Sequence, residues 1–131
     1  MTTKEISTLL VEDNYLVRKM TILLLQQLNC KVDAVETGEL ALKYANNSPY
    51  DIIFMDIGLP DLDGLSVISQ IRGSPGLNRD VPIIALTAHS DRGYIQQSFD
   101  VGATEFLVKP LNHYIGNQVL QRYAEGNKDS Q

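Results

Sequence analysis

Three acidic side chains, one hydroxyl and one ammonium stand at the ends of four apolar runs. The runs read Leu9-Leu10-Val11-Glu12-Asp13, Ile52-Ile53-Phe54-Met55-Asp56, Ile83-Ile84-Ala85-Leu86-Thr87 and Phe106-Leu107-Val108-Lys109-Pro110. Short apolar runs bounded by turn residues are the pattern of strands buried on both faces of a parallel sheet. Open α/β sheets bind ligands just outside the carboxyl ends of their strands, so Glu12, Asp13, Asp56, Thr87 and Lys109 are expected to meet in one acidic pocket. Three neighbouring carboxylates raise one another's pKa unless a counter-charge intervenes. Mg²⁺ is small, takes oxygen ligands and usually retains waters, so this donor set suits it beside a phosphoryl group. A lone Glu-Asp pair reads as a solvated loop; a third acid on a second strand and a lysine on another turn the reading toward a site.

The reaction such a pocket can run is phosphoryl transfer to a carboxylate, giving an aspartyl phosphate. Catalysis of that transfer is mostly positioning and neutralisation of charge on the equatorial oxygens. Asp56 ends a central strand facing the other acids and the lysine, and is the expected nucleophile. Glu12 and Asp13 are then expected to hold the metal. Lys109 would pair with one phosphoryl oxygen and the Thr87 hydroxyl would bond another.

The elements that must place these residues alternate along the whole chain. Strands are expected at about 8–11, 31–35, 52–55, 83–86 and 105–108, with helices at about 15–28, 39–46, from 65, 92–101 and 112–123. Asn14 and Thr37 are suitable N-caps, and Gly102 closes the fourth helix. In the first helix Leu16, Met20, Leu23, Leu24 and Gln27 recur at three- and four-residue steps, the spacing of an amphipathic face. Gly58-Leu59-Pro60-Asp61-Leu62-Asp63-Gly64 makes a loop, and Gly73-Ser74-Pro75-Gly76 breaks the third helix. Five βα units with short connections predict an α/β fold: a doubly wound, five-stranded parallel sheet with helices on both faces. Residues 1–125 are expected to form a single domain, followed by a frayed polar tail over 126–131.

The bulk numbers fit one such unit. The chain has 131 residues, 44% hydrophobic and 21% charged, with a net charge of −5. The acidic balance argues against nucleic-acid binding, which normally needs a basic face. Cys30 is the single cysteine, so no internal disulfide can form, and its place at a helix-to-strand junction suits a structural role. No segment approaches the roughly 20 apolar residues of a membrane span, and the start lacks a signal-peptide core. The expectation is a cytoplasmic domain without direct membrane contact, free or as the cytoplasmic part of a membrane-bound sensor.

Taken in order, Val11-Glu12-Asp13-Asn14, Met55-Asp56-Ile57-Gly58-Leu59-Pro60-Asp61-Leu62-Asp63-Gly64, Ala85-Leu86-Thr87-Ala88 and Lys109-Pro110 resemble the receiver domain of two-component response regulators, over nearly the whole chain. The resemblance implies the flavodoxin-like (βα)5 strand order 2-1-3-4-5. It implies that Asp56 accepts a phosphoryl group from phosphohistidine on a histidine kinase or a histidine phosphotransfer domain, which would approach over the pocket and the first helix. The Gly58 backbone carbonyl would complete the Mg²⁺ site with Glu12, Asp13 and Asp56, and a cis Lys109-Pro110 bond would aim the lysine.

Thr87, drawn inward, would vacate space for the switch aromatic Phe106, with Ala88 small enough to let it pass. The fourth helix, fifth strand and fifth helix would then carry the readout. Phe106 lacks the tyrosine hydroxyl that many members use, and a plain core role stays open for it. Gly58 and His89 hold the positions that tune loss of the phosphoryl group; Gly58 has no side chain to shield the aspartyl phosphate or orient water, and His89 either bonds a phosphoryl oxygen or a water or faces solvent. A phosphorylation-linked homodimer is also open, although nothing local demands one.

Three rivals are weaker. A nucleotide or flavin site would place glycines or hydroxyls at the first turn, where this chain has Glu12-Asp13-Asn14-Tyr15. A phosphohydrolase would want an acid two residues after the nucleophile, where Gly58 stands. A degenerate receiver used only for docking would not need every pocket residue. His89 and His113 lie on no helical-bundle pattern, so neither is read as a phosphohistidine. Pro82-Ile83-Ile84-Ala85-Leu86-Thr87-Ala88 and Met55-Asp56-Ile57-Gly58-Leu59-Pro60 look most like receivers of hybrid sensor histidine kinases, with a free-standing regulator as the alternative. Slow self-dephosphorylation is expected as a side activity.

Overall fold

The computed structural model describes residues 4–88 and 92–125. Strand β1 (Ile6–Val11) leads to helix α1 (Tyr15–Gln27), then β2 (Cys30–Val35), α2 (Gly38–Asn47), β3 (Ile52–Asp56), α3 (Gly64–Gly73), β4 (Ile83–Thr87), α4 (Arg92–Asp100), β5 (Glu105–Val108) and α5 (His113–Leu120). A π-helical turn, Gln121–Glu125, follows. Every strand pair is parallel and the order is β2-β1-β3-β4-β5, the doubly wound arrangement expected.

Successive strand side chains point to opposite faces, and this splits the interior into two cores. Leu9, Val11, Ile53, Met55, Ile83 and Ala85 pack against α2 and α3 through Ala41, Ala45, Leu65, Val67, Ile68 and Ile71. Leu10, Ile52, Phe54, Ile84 and Leu86 pack against α1 and α5 through Leu25, Val119 and Leu120. The register explains the sorting: Leu9 pairs with Ile53, and Ile53 with Ile83, so equivalent positions share a face. Every residue of β3 and β4 is buried, which is why both read as unbroken apolar runs.

Helix ends follow their local chemistry. The Asn14 and Thr37 side chains accept the N–H of Val17 at 2.9 Å and of Leu40 at 3.1 Å. Gly102 turns the chain after α4 with φ +111, a conformation that favours glycine.

Two expectations need correction. The α1 stripe of Leu16, Met20 and Leu23 faces outward, the three residues being 65%, 60% and 61% exposed. Thr21 and Leu25 are the buried residues, with Ile22, Leu24 and Leu28 packed partly against the core. Both sets recur at three- and four-residue steps, so periodicity alone could not choose the buried face. The last helix is also shorter than expected. Asn112 lies outside it as the N-cap, and α-helical bonding gives way after Leu120 to the wider turn that packs Tyr123 and Ala124 against the α1/α5 core.

Buried polar groups fasten the loops. Asn78 accepts from the Tyr50 N–H at 2.8 Å and donates to the carbonyls of Ala45 and Ser48. Arg72 donates to the carbonyls of Gly102, Arg79 and Val81 and to the Thr104 hydroxyl. The Tyr50 hydroxyl donates to Asp33 Oδ2 at 2.7 Å. Burial, then the Asp33 hydrogen bond and charge, push its pKa above the ordinary tyrosine value. A raised folded pKa means stability that is full below the unfolded pKa and lost as pH climbs toward the folded one. Denaturant midpoints are therefore expected to fall above about pH 10, and Tyr50→Phe to flatten that fall while costing about 1 kcal/mol at neutral pH. An alkaline slope unchanged in the variant would remove Tyr50 as its source.

Candidate active site

All five strands run the same way, so the turns after β1, β3, β4 and β5 open on one side of the sheet. Glu12 follows β1 and extends its ladder, its N–H donating to the Val35 carbonyl at 3.0 Å. Asp56 and Thr87 are the last residues of β3 and β4. Lys109 follows β5, its backbone N–H donates to the Thr87 carbonyl at 2.7 Å, and the Lys109–Pro110 peptide bond is cis. With Asp13, Asn14, Gly58 and Ala88, these residues line a cleft of about 320 Å³.

Glu12 and Asp56 are buried and Asp13 is exposed. One carboxylate oxygen from each lies within 4.8 Å of the others, the one such cluster of three or more metal-ligating side chains among the described residues. A second cleft, of about 340 Å³, opens near the opposite ends of β3 and β4 beside Tyr50 and Asp80, away from that cluster.

Lys109 Nζ bridges the two buried acids, 3.0 Å from Glu12 Oε1 and 3.2 Å from Asp56 Oδ2. Burial disfavours the lysine's charge, but the Glu12 hydrogen bond and the Asp56 and Glu12 charges outweigh it and hold the pKa above the ordinary lysine value. The remaining oxygens are engaged too. Glu12 Oε2 accepts the Asn14 N–H at 3.0 Å, and Asp56 Oδ1 accepts the Gly58 N–H at 2.9 Å. Both buried carboxylates are thus oriented before any ligand arrives. Chemically, the cleft offers oxygen donors for a hard divalent cation next to a carboxylate and a cation that could neutralise a phosphoryl oxygen.

Sequence reasoning passed over Arg18. Its Nη1 donates to the carbonyls of Glu12 at 3.0 Å and Asp13 at 3.3 Å, while Nη2 pairs with Glu36 at 3.4 Å, so it braces the turn that carries two of the three acids. A single arginine in the first turns of a helix reads as an ordinary solvated cation, and nothing in the local pattern marks it.

The other residues singled out from sequence fall as follows. Thr87 is buried, Ala88 is exposed, and Phe106 is partly buried against the α2/α3-side core. A Cβ added at Gly58 would stand 3.7 Å from Asp56 Oδ1, in ordinary contact, so this position has room for a side chain. His113 Nε2 lies 3.0 Å from Gln27 Oε1 on the α1/α5 side, and His113 does not line the cleft. His89 and the 126–131 tail lie outside the described residues.

Five parallel strands, helices on both faces and an acid-lined cleft at the carboxyl ends define a flavodoxin-like, doubly wound α/β domain. Within that class, residues 8–120 match the response regulator receiver domain, and the chain belongs to this family of two-component signalling domains. It is 40% identical over 114 residues to the transcription factor prr1 of Schizosaccharomyces pombe, covering 87% of this chain and 21% of that protein. It is 32% identical over 117 residues to the signal transduction histidine-protein kinase BarA of Escherichia coli, covering 89% of this chain and 13% of the kinase. The chain thus spans about a fifth or less of these two relatives. Among solved structures it resembles the receiver domain of the sensor histidine kinase PA1611 from Pseudomonas aeruginosa, with TM-score 0.85, 36% identity and coverage of 92% and 98% of the two chains. That structure holds a magnesium ion coordinated in its active-site cleft. In the present chain, no helix among the described residues is long and apolar enough to cross a membrane.

Proposed function

We propose that the chain is a phosphoacceptor switch that takes a phosphoryl group from phosphohistidine onto Asp56. The observation that carries this reading is Lys109 Nζ bonded to both Glu12 and Asp56 in a cleft where a third carboxylate converges. Glu12, Asp13, Asp56 and the Gly58 carbonyl would hold Mg²⁺, which supplies charge neutralisation for the phosphoryl oxygens when bound. An Asp56 oxygen forms the new O–P bond as the P–N bond to the donor histidine breaks, and the imidazole leaves with the electron pair and takes up a proton. Lys109 exchanges a carboxylate for a phosphoryl oxygen, and the Thr87 hydroxyl donates to another. Inward movement of Thr87 then gives Phe106 room to repack, and α4, β5 and α5 present the altered surface. Gly58 brings no side chain to orient a water, which favours slow loss of the phosphoryl group.

The donor is a histidine kinase or a histidine phosphotransfer domain, docked over the cleft and α1. Leu16, Met20 and Leu23 form an exposed apolar stripe on the helix that begins at the cleft-lining Asn14, and an apolar helical face suits such a stripe. Met20→Glu with Leu23→Glu is expected to slow transfer from a phosphohistidine partner by about 100-fold. Labelling by a small-molecule donor should stay unchanged, because neither side chain lines the cleft. Equal loss with both donors would mean damage to the cleft instead of a lost docking face.

The direct test is intact-mass measurement after incubation with a small-molecule phosphodonor, in Mg²⁺ and in chelator. A Mg²⁺-dependent phosphoryl adduct is expected. No adduct from either the small donor or a phosphohistidine partner would reduce the domain to a docking module.

A further inference from the structure

We infer that Asp61 is a positioning residue for the cleft, acting through the loop between β3 and α3 without touching the reacting group; this rests on the reading that the Gly58 carbonyl is a metal ligand. The loop leaves Asp56 at the end of β3 and enters α3 at Gly64. Its base is closed by the Gly64 N–H, which donates to the Ile57 carbonyl at 3.3 Å. The two strands of the loop press together so closely there that a Cβ on Gly64 would fall 2.4 Å from Ile57 Cα. Gly58 lies inside this closed segment, its N–H already given to Asp56 Oδ1. The orientation of its carbonyl therefore depends on how the rest of the loop is held.

Asp61 holds the tip. Its Oδ1 accepts the Gly38 N–H at 2.8 Å and its Oδ2 accepts the Glu39 N–H at 3.0 Å, across 23 and 22 positions of sequence. Both donors belong to the first turn of α2, where backbone N–H groups lack helical partners and the helix dipole favours a negative charge. The Gly38 bond is the main reason the Asp61 carboxyl sits below its ordinary pKa. Beside it, a Cβ on Gly38 would fall 2.8 Å from Leu62 Cβ, so loop and helix meet at a distance that glycine permits.

Helix α2 does not depend on this contact for its own integrity. Thr37 caps it locally through the Leu40 N–H, and Ala41 and Ala45 anchor it in the core. Without Asp61, α2 keeps its cap and its packing. The loop, by contrast, loses its polar fastening at the tip, and the Gly58 carbonyl gains freedom at the metal site.

The test is calorimetric Mg²⁺ titration of the unaltered chain, Asp61→Ala, Asp61→Asn and Thr37→Ala, each checked by denaturation for an intact fold. Asp61→Ala should bind Mg²⁺ about tenfold more weakly, the low end for residues that orient ligands from outside the first coordination sphere. Asp61→Asn keeps one acceptor oxygen and should fall between. Thr37→Ala removes a cap from the same helix turn while leaving both Asp61 hydrogen bonds in place, and should bind Mg²⁺ as the unaltered chain does. Asp61→Ala binding normally, or Thr37→Ala matching its loss, would overturn the positioning role. Failure of the unaltered chain to bind Mg²⁺ would overturn the metal reading, and the role of Asp61 with it.

Discussion

Asp56→Asn is expected to abolish the phosphoryl adduct completely while leaving the domain folded. The substitution keeps the shape of the side chain, and its remaining carbonyl oxygen can still accept the Gly58 N–H that Asp56 Oδ1 accepts at 2.9 Å. What it would remove, on the reading proposed above, is the nucleophile, because an amide has no charged oxygen to attack phosphorus. It also turns a donor –NH₂ toward Lys109 Nζ, which now lies 3.2 Å from Asp56 Oδ2, and so exchanges an attraction for two opposed donors. Loss of one of three clustered carboxylates should weaken Mg²⁺ binding as well. Intact mass with a small phosphodonor reads the first effect and calorimetry the second. An adduct that persists at full yield in the variant would move the acceptor to another residue, with Asp13, the exposed carboxylate of the cluster, the next candidate.

The second large effect belongs to Lys109→Met. Glu12 and Asp56 keep only 1% and 4% of their side-chain surface exposed, and the lysine is the cation between them. Removing one member of a buried ion pair leaves uncompensated charge, which typically costs about 3 kcal/mol or more. The variant should therefore unfold at clearly lower denaturant in chelator. Mg²⁺ should narrow the gap, since the metal would neutralise the same carboxylates and a lower Kd in the variant would make its linked stabilisation larger than that of the unaltered chain. It should also bind more tightly than to the unaltered chain, where the ammonium already occupies those oxygens. A stability loss that Mg²⁺ leaves untouched would show that the cost lies in packing of the lysine stem and not in charge.

The cleft was legible because each of its main residues closes an apolar run. Strand direction then carries Glu12, Asp56, Thr87 and Lys109 to the same end of the sheet without any long-range information. Capping by Asn14 and Thr37 was legible for a similar reason: the hydrogen bonds span three residues. The outward face of α1 was not legible, since two stripes with the same spacing run along it and only the sheet decides between them. Nor was the start of β1. Ile6 and Ser7 join the strand by pairing with Cys30 and Lys31, and that pairing lies outside the local apolar pattern. Asn78 and Asp61 escaped notice because their partners lie tens of positions away, and Arg72 because two of its four do, as with Gly102 across 30. A polar side chain that will be clamped looks, in sequence, like one that will be solvated.

Strand β5 has four residues, none fully buried, and pairs with β4 alone, whereas β3 is buried throughout and paired on both sides. Local opening free energy follows the hydrogen bonds and buried area that must be given up, so amide exchange should rise from β3 through β4 to β5. Asp56 therefore ends a strand held on both sides, while Phe106 and the strand leading to Lys109 lie at an edge of the sheet with less to give up. A phosphoryl group placed on Asp56, as proposed, would be written on a strand held from both sides and expressed at an edge that yields before the rest of the sheet has to.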